Sequence, residues 1–131
     1  MIGIVIVGHG QLAQEYLSAL QHVVGAQDGV CAISIDADCA RTEKQSEICA
    51  AADAVDIGSG VVVVTDMFGG SPSNLSMKAC DCDNRRILYG ANLPMLIKLA
   101  KSRTLTVEAA VSISMDAGRK YINSCCGTAG I

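Results

Sequence analysis

Three short segments carry residues whose types and spacing allow them to work together. His9 follows an almost wholly apolar run, Ile2 to Val7, and stands between Gly8 and Gly10. Asp66 directly follows a second apolar run, Val61 to Thr65, and Gly69-Gly70-Ser71-Pro72-Ser73-Asn74 comes soon after it. An imidazole whose Nδ1–H donates to a carboxylate is held in one tautomer. Nε2 is then left unprotonated as a nucleophile, and positive charge is stabilised on the ring as it forms. A serine cap followed by proline at the first helical position leaves free backbone N–H groups and the helix dipole's positive end, roughly half a unit charge, facing outward. That arrangement attracts phosphate. The expectation is that His9 is the nucleophile, Asp66 its orienter, and Ser71 both helix cap and phosphate contact. Each segment alone fits ordinary turn and cap chemistry; the inference rests on their being brought together.

The elements that must do so alternate along the chain. Ile2 to Val7 reads as a strand buried on both faces. A helix follows with Leu12, Tyr16, Leu17, Leu20, Val23 and Val24 on one face, His22 on the solvated face and Gly25 as its stop signal. Cys31 to Ile35 is a second strand, and Asp38 or Thr42 can cap a helix running to about Val55, with Ile48, Ala52 and Val55 inward. Gly58 and Gly60 break the chain before the third strand, Val61 to Thr65. Ser71-Pro72 opens helix three, Arg86 to Gly90 is strand four, and Pro94 starts helix four. Thr104 can cap a last helix with an inward stripe of Val107, Val111, Ser114, Met115, Gly118, Ile122 and Cys125, where Gly118 implies close packing on the sheet. Strands joined by helices demand parallel pairing with right-handed crossovers. The predicted fold is α/β: a three-layer, flavodoxin-like open sheet of order 2-1-3-4, mainly parallel, with helices on both faces. Strands one and three are then neighbours, and the crevice between their C-terminal ends is the topological switch point.

Composition narrows the function classes. A chain of 131 residues fits one domain, residues 1–131. With one Phe, three Tyr and no Trp it is poorly equipped to stack on bases. A net charge of −3 without a basic run argues against nucleic acid or an anionic membrane as partner. No apolar stretch approaches the roughly twenty residues of a membrane span, and no leader pattern opens the chain, which points to the cytoplasm. The seven cysteines, Cys31, Cys39, Cys49, Cys80, Cys82, Cys125 and Cys126, form neither a disulfide framework nor a C-x-x-C zinc or redox motif. Most are expected to be small core hydrophobes in a reducing compartment, with the Cys125-Cys126 pair the one open to oxidation. No metal or other cofactor is called for, and the absence of G-x-x-x-x-G-K-[ST] argues against direct use of ATP.

Three ordered motifs carry a resemblance: Ile4-Val5-Ile6-Val7-Gly8-His9-Gly10, then Asp66-Met67-Phe68-Gly69-Gly70-Ser71-Pro72-Ser73-Asn74, then Gly90-Ala91-Asn92-Leu93-Pro94-Met95-Leu96. Over nearly its whole length the chain resembles the mannose-type enzyme IIA phosphocarriers of the bacterial phosphoenolpyruvate-dependent sugar phosphotransferase system. The resemblance implies a phosphotransferase with a phosphohistidine intermediate: His9 takes a phosphoryl group from the phosphocarrier HPr and passes it to an enzyme IIB. It implies hydrogen bonding of the ring by Asp66 and phosphate contact by Ser71, with Gly10, Gly69, Gly70 and Ser73 completing the phosphate-binding set. Phe68, Asn92 and Pro94 become partner-facing residues, with Asn92 and Pro94 on the crevice wall and Met67 and Phe68 as an apolar rim against water. Family members form homodimers that exchange an antiparallel C-terminal strand; only Gly127 to Ile131 follows the last helix here, short for such an edge strand. With no IIB domain following, the acceptor is expected to be separate, and association with a permease peripheral.

Neighbouring readings differ in class. The phosphotransfer subunit of a dihydroxyacetone-kinase-type system shares fold and histidine, and a carrier of this kind can also act as a regulatory phosphorylation sensor without transport. A response-regulator receiver would need acidic residues for Mg²⁺ where Gly8-His9-Gly10 stands. A flavin binder would need a hydroxyl-rich loop after strand one and aromatic walls.

Overall fold

The computed structural model describes residues 1–127. Strand β1 (Gly3–His9) is buried from Gly3 through Gly8 and emerges only at His9. Helices cover both faces of the sheet here, which is why the run is continuously apolar instead of alternating. Helix α1 (Leu12–Val24), strand β2 (Val30–Ile35), helix α2 (Arg41–Val55), strand β3 (Val61–Thr65) and helix α3 (Ser71–Ser76) follow. A 3-10 turn (Lys78–Cys80) leads to strand β4 (Arg85–Tyr89), helix α4 (Leu93–Lys101) and helix α5 (Val107–Lys120). The sheet order is β2-β1-β3-β4 and every pairing is parallel. The register sets Val7 beside Thr65 and His9 beside Ile35.

Side chains two apart along the strands divide between two cores. Ile4, Ile6, Val62 and Val64 pack with α1, α4 and α5 through Ala13, Leu20, Leu96, Leu99, Val107 and Ala110. Val5, Val7, Val61 and Val63 pack on the other face with Ile48 and Ala52 of α2 and Leu75 of α3. Each fully buried aliphatic side chain contributes about 1.5–3 kcal/mol, so the two cores hold the sheet rigid beneath its C-terminal edge. Gly3 is needed where α2 closes on β1, because a Cβ there would lie within 2.4 Å of the Val55 carbonyl oxygen.

Several sequence expectations change. Neither Asp38 nor Thr42 caps α2; its N-cap is Ala40 in extended conformation, with no side-chain bond. Helix α5 is capped by Thr106, whose Oγ1 accepts from the Ala109 amide, because Thr104 is taken up in a turn that the Leu105 amide closes on the Ser102 carbonyl. Leu12 and Val23 are exposed, and Ala13 takes the inward place beside Leu20. Ile122 and Cys125 lie past the end of α5 and face solvent. Gly118 is buried, but against α4: a Cβ there would stand 3.2 Å from Met95 Cβ, so the close packing is helix on helix. Cys31, Cys39, Cys49 and Cys80 are half-buried at the margin of the second core, while Cys82, Cys125 and Cys126 are exposed. Burial pushes the Cys80 thiol up to about 11, which leaves it unreactive.

Arg103, unremarked in the sequence, is buried and ties the N-terminal ends of β1 and β2 together. Its guanidinium donates to the Ile2 carbonyl at 2.7 Å, to Gln27 Oε1 at 3.2 Å and to the Gly29 carbonyl at 3.3 Å. Among the described residues the sheet has four strands, all parallel; Gly127 lies in a turn, and residues 128–131 of the expected edge strand fall outside the described residues. No helix among the described residues is long and apolar enough to cross a membrane.

Candidate functional site

His9 ends β1, Asp66 follows the last residue of β3, and these strands are hydrogen-bonded neighbours, so both residues reach the C-terminal edge of the sheet together. His9 Nδ1 donates to Asp66 Oδ2 at 2.6 Å, and the His9 backbone N–H donates to the same oxygen at 2.9 Å. The Met67 amide donates to Asp66 Oδ1 at 2.9 Å. Burial pushes the Asp66 carboxyl upward, but the His9 amide, the His9 ring and the Met67 amide outweigh it and hold the group below the ordinary carboxylate range. An ionised Asp66, with its side chain 11% exposed, thus fixes a ring that is 48% exposed. With Nδ1 committed, Nε2 is the imidazole nitrogen open to chemistry.

The loop after β3 brings Gly70 against that ring. A Cβ on Gly70 would stand 3.0 Å from His9 Cε1 and 3.5 Å from Nε2, so glycine permits the approach. Helix α3 starts one residue earlier than expected for its cap: Gly70 is the N-cap, Ser71 the first helical residue, and no side chain caps the end. The Ser71 hydroxyl makes no hydrogen bond among the described residues, and it lines the crevice that His9 enters. Ser73 is placed otherwise. It is 2% exposed, accepts from the Gly69 amide at 3.0 Å and donates to the Gly70 carbonyl at 3.1 Å, so its hydroxyl shapes the loop from below. Gly10 lies in the left-handed region at φ 53°, and its amide donates to the Ile35 carbonyl at 3.0 Å.

The arrangement is a solvent-facing imidazole with one nitrogen anchored, beside a glycine loop and an unengaged hydroxyl. A family model described as EIIA-man, PTS system fructose IIA component, matches residues 3–115, a span that includes His9, Asp66 and Ser71. The chain belongs to the EIIA-man family of the phosphotransferase system (PTS). It is 28% identical over 129 residues to the PTS system mannose-specific EIIAB component of Escherichia coli, an alignment covering 94% of this chain and 39% of that protein. The chain therefore spans about two fifths of the length of the curated relatives it matches. Among solved structures it is similar to PTS component EIIA from Streptococcus agalactiae, with TM-score 0.79, 28% identity, and 95% and 97% of the two chains covered. The mannose/sorbose-specific IIA subunit from Enterococcus faecalis superposes with TM-score 0.85 over 95% of each chain at 24% identity, which is a likeness of fold.

In this EIIA-man chain the third motif stands apart from His9. Asn92 Oδ1 accepts from the Met95 amide at 3.0 Å and its Nδ2 donates to the Gly118 carbonyl at 3.0 Å, so both ends of its amide are engaged in capping α4 and tying it to α5. Pro94, in the first turn of α4, lines a groove with α5 instead of the His9 crevice. The motif does reach the sheet edge through its backbone: the Ala91 amide donates to the Thr65 carbonyl at 3.1 Å. Phe68 is 67% exposed and rests on Tyr89, ring centroids 4.8 Å apart, with Met67 exposed beside it, an apolar surface on one flank of the loop. The other wall of the crevice comes from the β2–α2 connection and the start of α2, through Asp36, Ala37, Cys39 and Arg41, none of them read as a site residue in the sequence. The signal was available in topology: β2 also adjoins β1, so the loop after Ile35 must open at the same edge.

Proposed function

We propose that the protein is a phosphocarrier: His9 Nε2 accepts a phosphoryl group from phospho-HPr and passes it to an enzyme IIB in sugar uptake or its regulation. The observation that carries this reading is the 2.6 Å bond from Nδ1 to Asp66 on a half-exposed ring, which leaves Nε2 alone as acceptor. In the transfer, the Nε2 lone pair forms a bond to phosphorus while the donor's N–P bond breaks and the donor imidazole recovers its electron pair. Phosphoryl transfer has a loose transition state, so positioning and fixed dipoles supply most of the acceleration, and no acid is needed at the leaving nitrogen. Asp66 orients the ring and balances the positive charge that grows on it. The Ser71 hydroxyl and the Gly70 amide are the groups available to the equatorial oxygens, the Gly69 amide being held by Ser73 Oγ. Ser73 and the Gly10 amide are already engaged and act by holding the loops. Met67 and Phe68 offer HPr or the IIB protein an apolar landing surface and shelter the phosphoramidate from water. Among the described residues no strand pairs with the outer edge of β4, which supports a homodimer as the assembly, since an open edge strand is a template for a second chain. These partners place the protein in the cytoplasm, with only peripheral attachment to a permease.

The test is incubation with phosphoenolpyruvate, enzyme I and HPr, followed by intact mass and acid treatment of the wild type and His9→Ala. An acid-labile phosphoryl adduct present in the wild type and missing from the variant is expected. An acid-stable adduct, or one that survives the substitution, would overturn the assignment.

A further inference from the structure

The crevice that His9 enters encloses about 480 Å³ and is charged unevenly. Asp36 lines one wall, and Asp66 holds the ring from behind through Nδ1, so one carboxylate already faces the crevice that a phosphoryl group on Nε2 would enter and a second lies behind the ring. Such a group brings about two further negative charges and three acceptor oxygens. Among the described residues Arg41 is the one cationic side chain lining the crevice. It is the first residue of α2, is exposed, and makes no ion pair or side-chain hydrogen bond among the described residues. Arg85 and Lys44, by contrast, are paired with carboxylates, and Arg103 is buried at the far edge of the sheet. A cation in the first turn of a helix is also opposed by the helix dipole, so its position gains nothing for the unphosphorylated fold.

We infer that Arg41 is an anion-binding residue of the phosphorylated state, its guanidinium meeting the phosphoryl oxygens on His9 Nε2 from the wall opposite Ser71. The inference rests on the phosphocarrier reading of His9. Arginine suits the task because its planar fork donates two parallel hydrogen bonds to a phosphoryl group and remains charged at any working pH. The neutral imidazole state makes no use of this contact, so Arg41 favours the phosphorylated form selectively. It shifts the position of equilibrium with the donor as well as the rate.

The experiment measures the equilibrium of the phosphoryl group between HPr and this protein, by intact mass and phosphorus NMR, for the wild type, Arg41→Ala and Arg41→Lys. In Arg41→Ala the equilibrium is expected to move about five- to thirtyfold toward phospho-HPr, the range between an exposed ion pair and a charge-assisted hydrogen bond, with thermal unfolding unchanged. Lysine should restore part of the shift, and higher salt should shrink it. An unchanged equilibrium in Arg41→Ala overturns the inference; if the transfer rate alone has fallen, Arg41 serves partner docking instead. Either result leaves the carrier reading intact, because the adduct still forms on His9. Failure of the wild type to take up phosphate is the separate outcome that removes the carrier reading, and Arg41's role with it.

Discussion

Replacing Gly70 with alanine puts one methyl group against the reactive ring and little else. Its Cβ would stand 3.0 Å from His9 Cε1, 3.5 Å from Nε2 and 3.5 Å from Met67 Cγ. Carbon atoms in contact settle about 3.5–4.0 Å apart, so the ring must retreat by roughly half an ångström. The backbone offers no objection: Gly70 has φ −83° and ψ 171°, which alanine adopts freely. Reduced freedom of the unfolded chain even favours the variant, by about 0.4–1 kcal/mol. Only the ring can yield, outward into solvent, and it is hinged at Nδ1 on Asp66, so its retreat swings Nε2 off line. The methyl group also crowds the approach to Nε2. A misplacement of about 1 Å costs on the order of a hundredfold in rate; half of that, with a narrowed approach, is expected to cost about tenfold or more, some 1.4 kcal/mol of barrier. The assay follows phosphorylation by phospho-HPr over time by intact mass, alongside thermal unfolding. Slower transfer at an equal or higher melting temperature is the expected pair of results. A wild-type rate at wild-type stability would refute the reasoning, because it would mean that the face of the ring toward Gly70 has no part in transfer.

Other outcomes follow from the same geometry. Asp66→Asn removes the charge that two His9 hydrogen bonds share, and a charge-assisted bond is worth about 1.5–3 kcal/mol, so phosphorylation should slow by about ten- to a hundredfold while circular dichroism stays native. The same substitution bears on acid stability. The folded-state pKa of Asp66 is depressed, so its contribution is present above the unfolded carboxylate pKa of ~3.9 and is lost as pH falls through the lower folded value; Asp66→Asn should flatten that part of the stability profile in urea titrations at pH 2 to 6, roughly the range spanned by these transitions. Arg103→Ala should destabilise the protein by about 2–4 kcal/mol in chemical denaturation, since it strips three hydrogen bonds and packing from a buried site far from His9. The residual folded protein should still be phosphorylated at the wild-type rate. A loss below about 0.5 kcal/mol would mean that water replaces the guanidinium at no penalty.

Local pattern was enough to determine the strands, because a run such as Val61 to Val64 has no other stable use than a strand covered on both faces. Alternation of strand and helix then led to the parallel order 2-1-3-4, and that order alone predicted that His9 and Asp66 would meet. The pairing is visible in sequence since both residues sit directly at strand ends, where register leaves little freedom. Helix caps were less legible. Thr42, Thr104 and Thr106 are chemically alike, and only the path of the chain between α4 and α5 decides that Thr106 does the capping.

Side-chain direction was decided by tertiary structure. Ser71 and Ser73 are two residues apart in one loop, yet one faces the crevice and the other is buried beneath it, because Ser73 closes hydrogen bonds on Gly69 and Gly70. Asn92 reads as a site residue by its motif, but contact between α4 and α5 engages both ends of its amide. Arg41 and Arg103 carry the same side chain, one spare at the crevice and one buried among carbonyls, a difference that depends wholly on which distant segments surround them. Periodicity reports which face of an element is buried. What a polar group meets on the far side of that boundary is set by chain segments that sequence spacing does not relate.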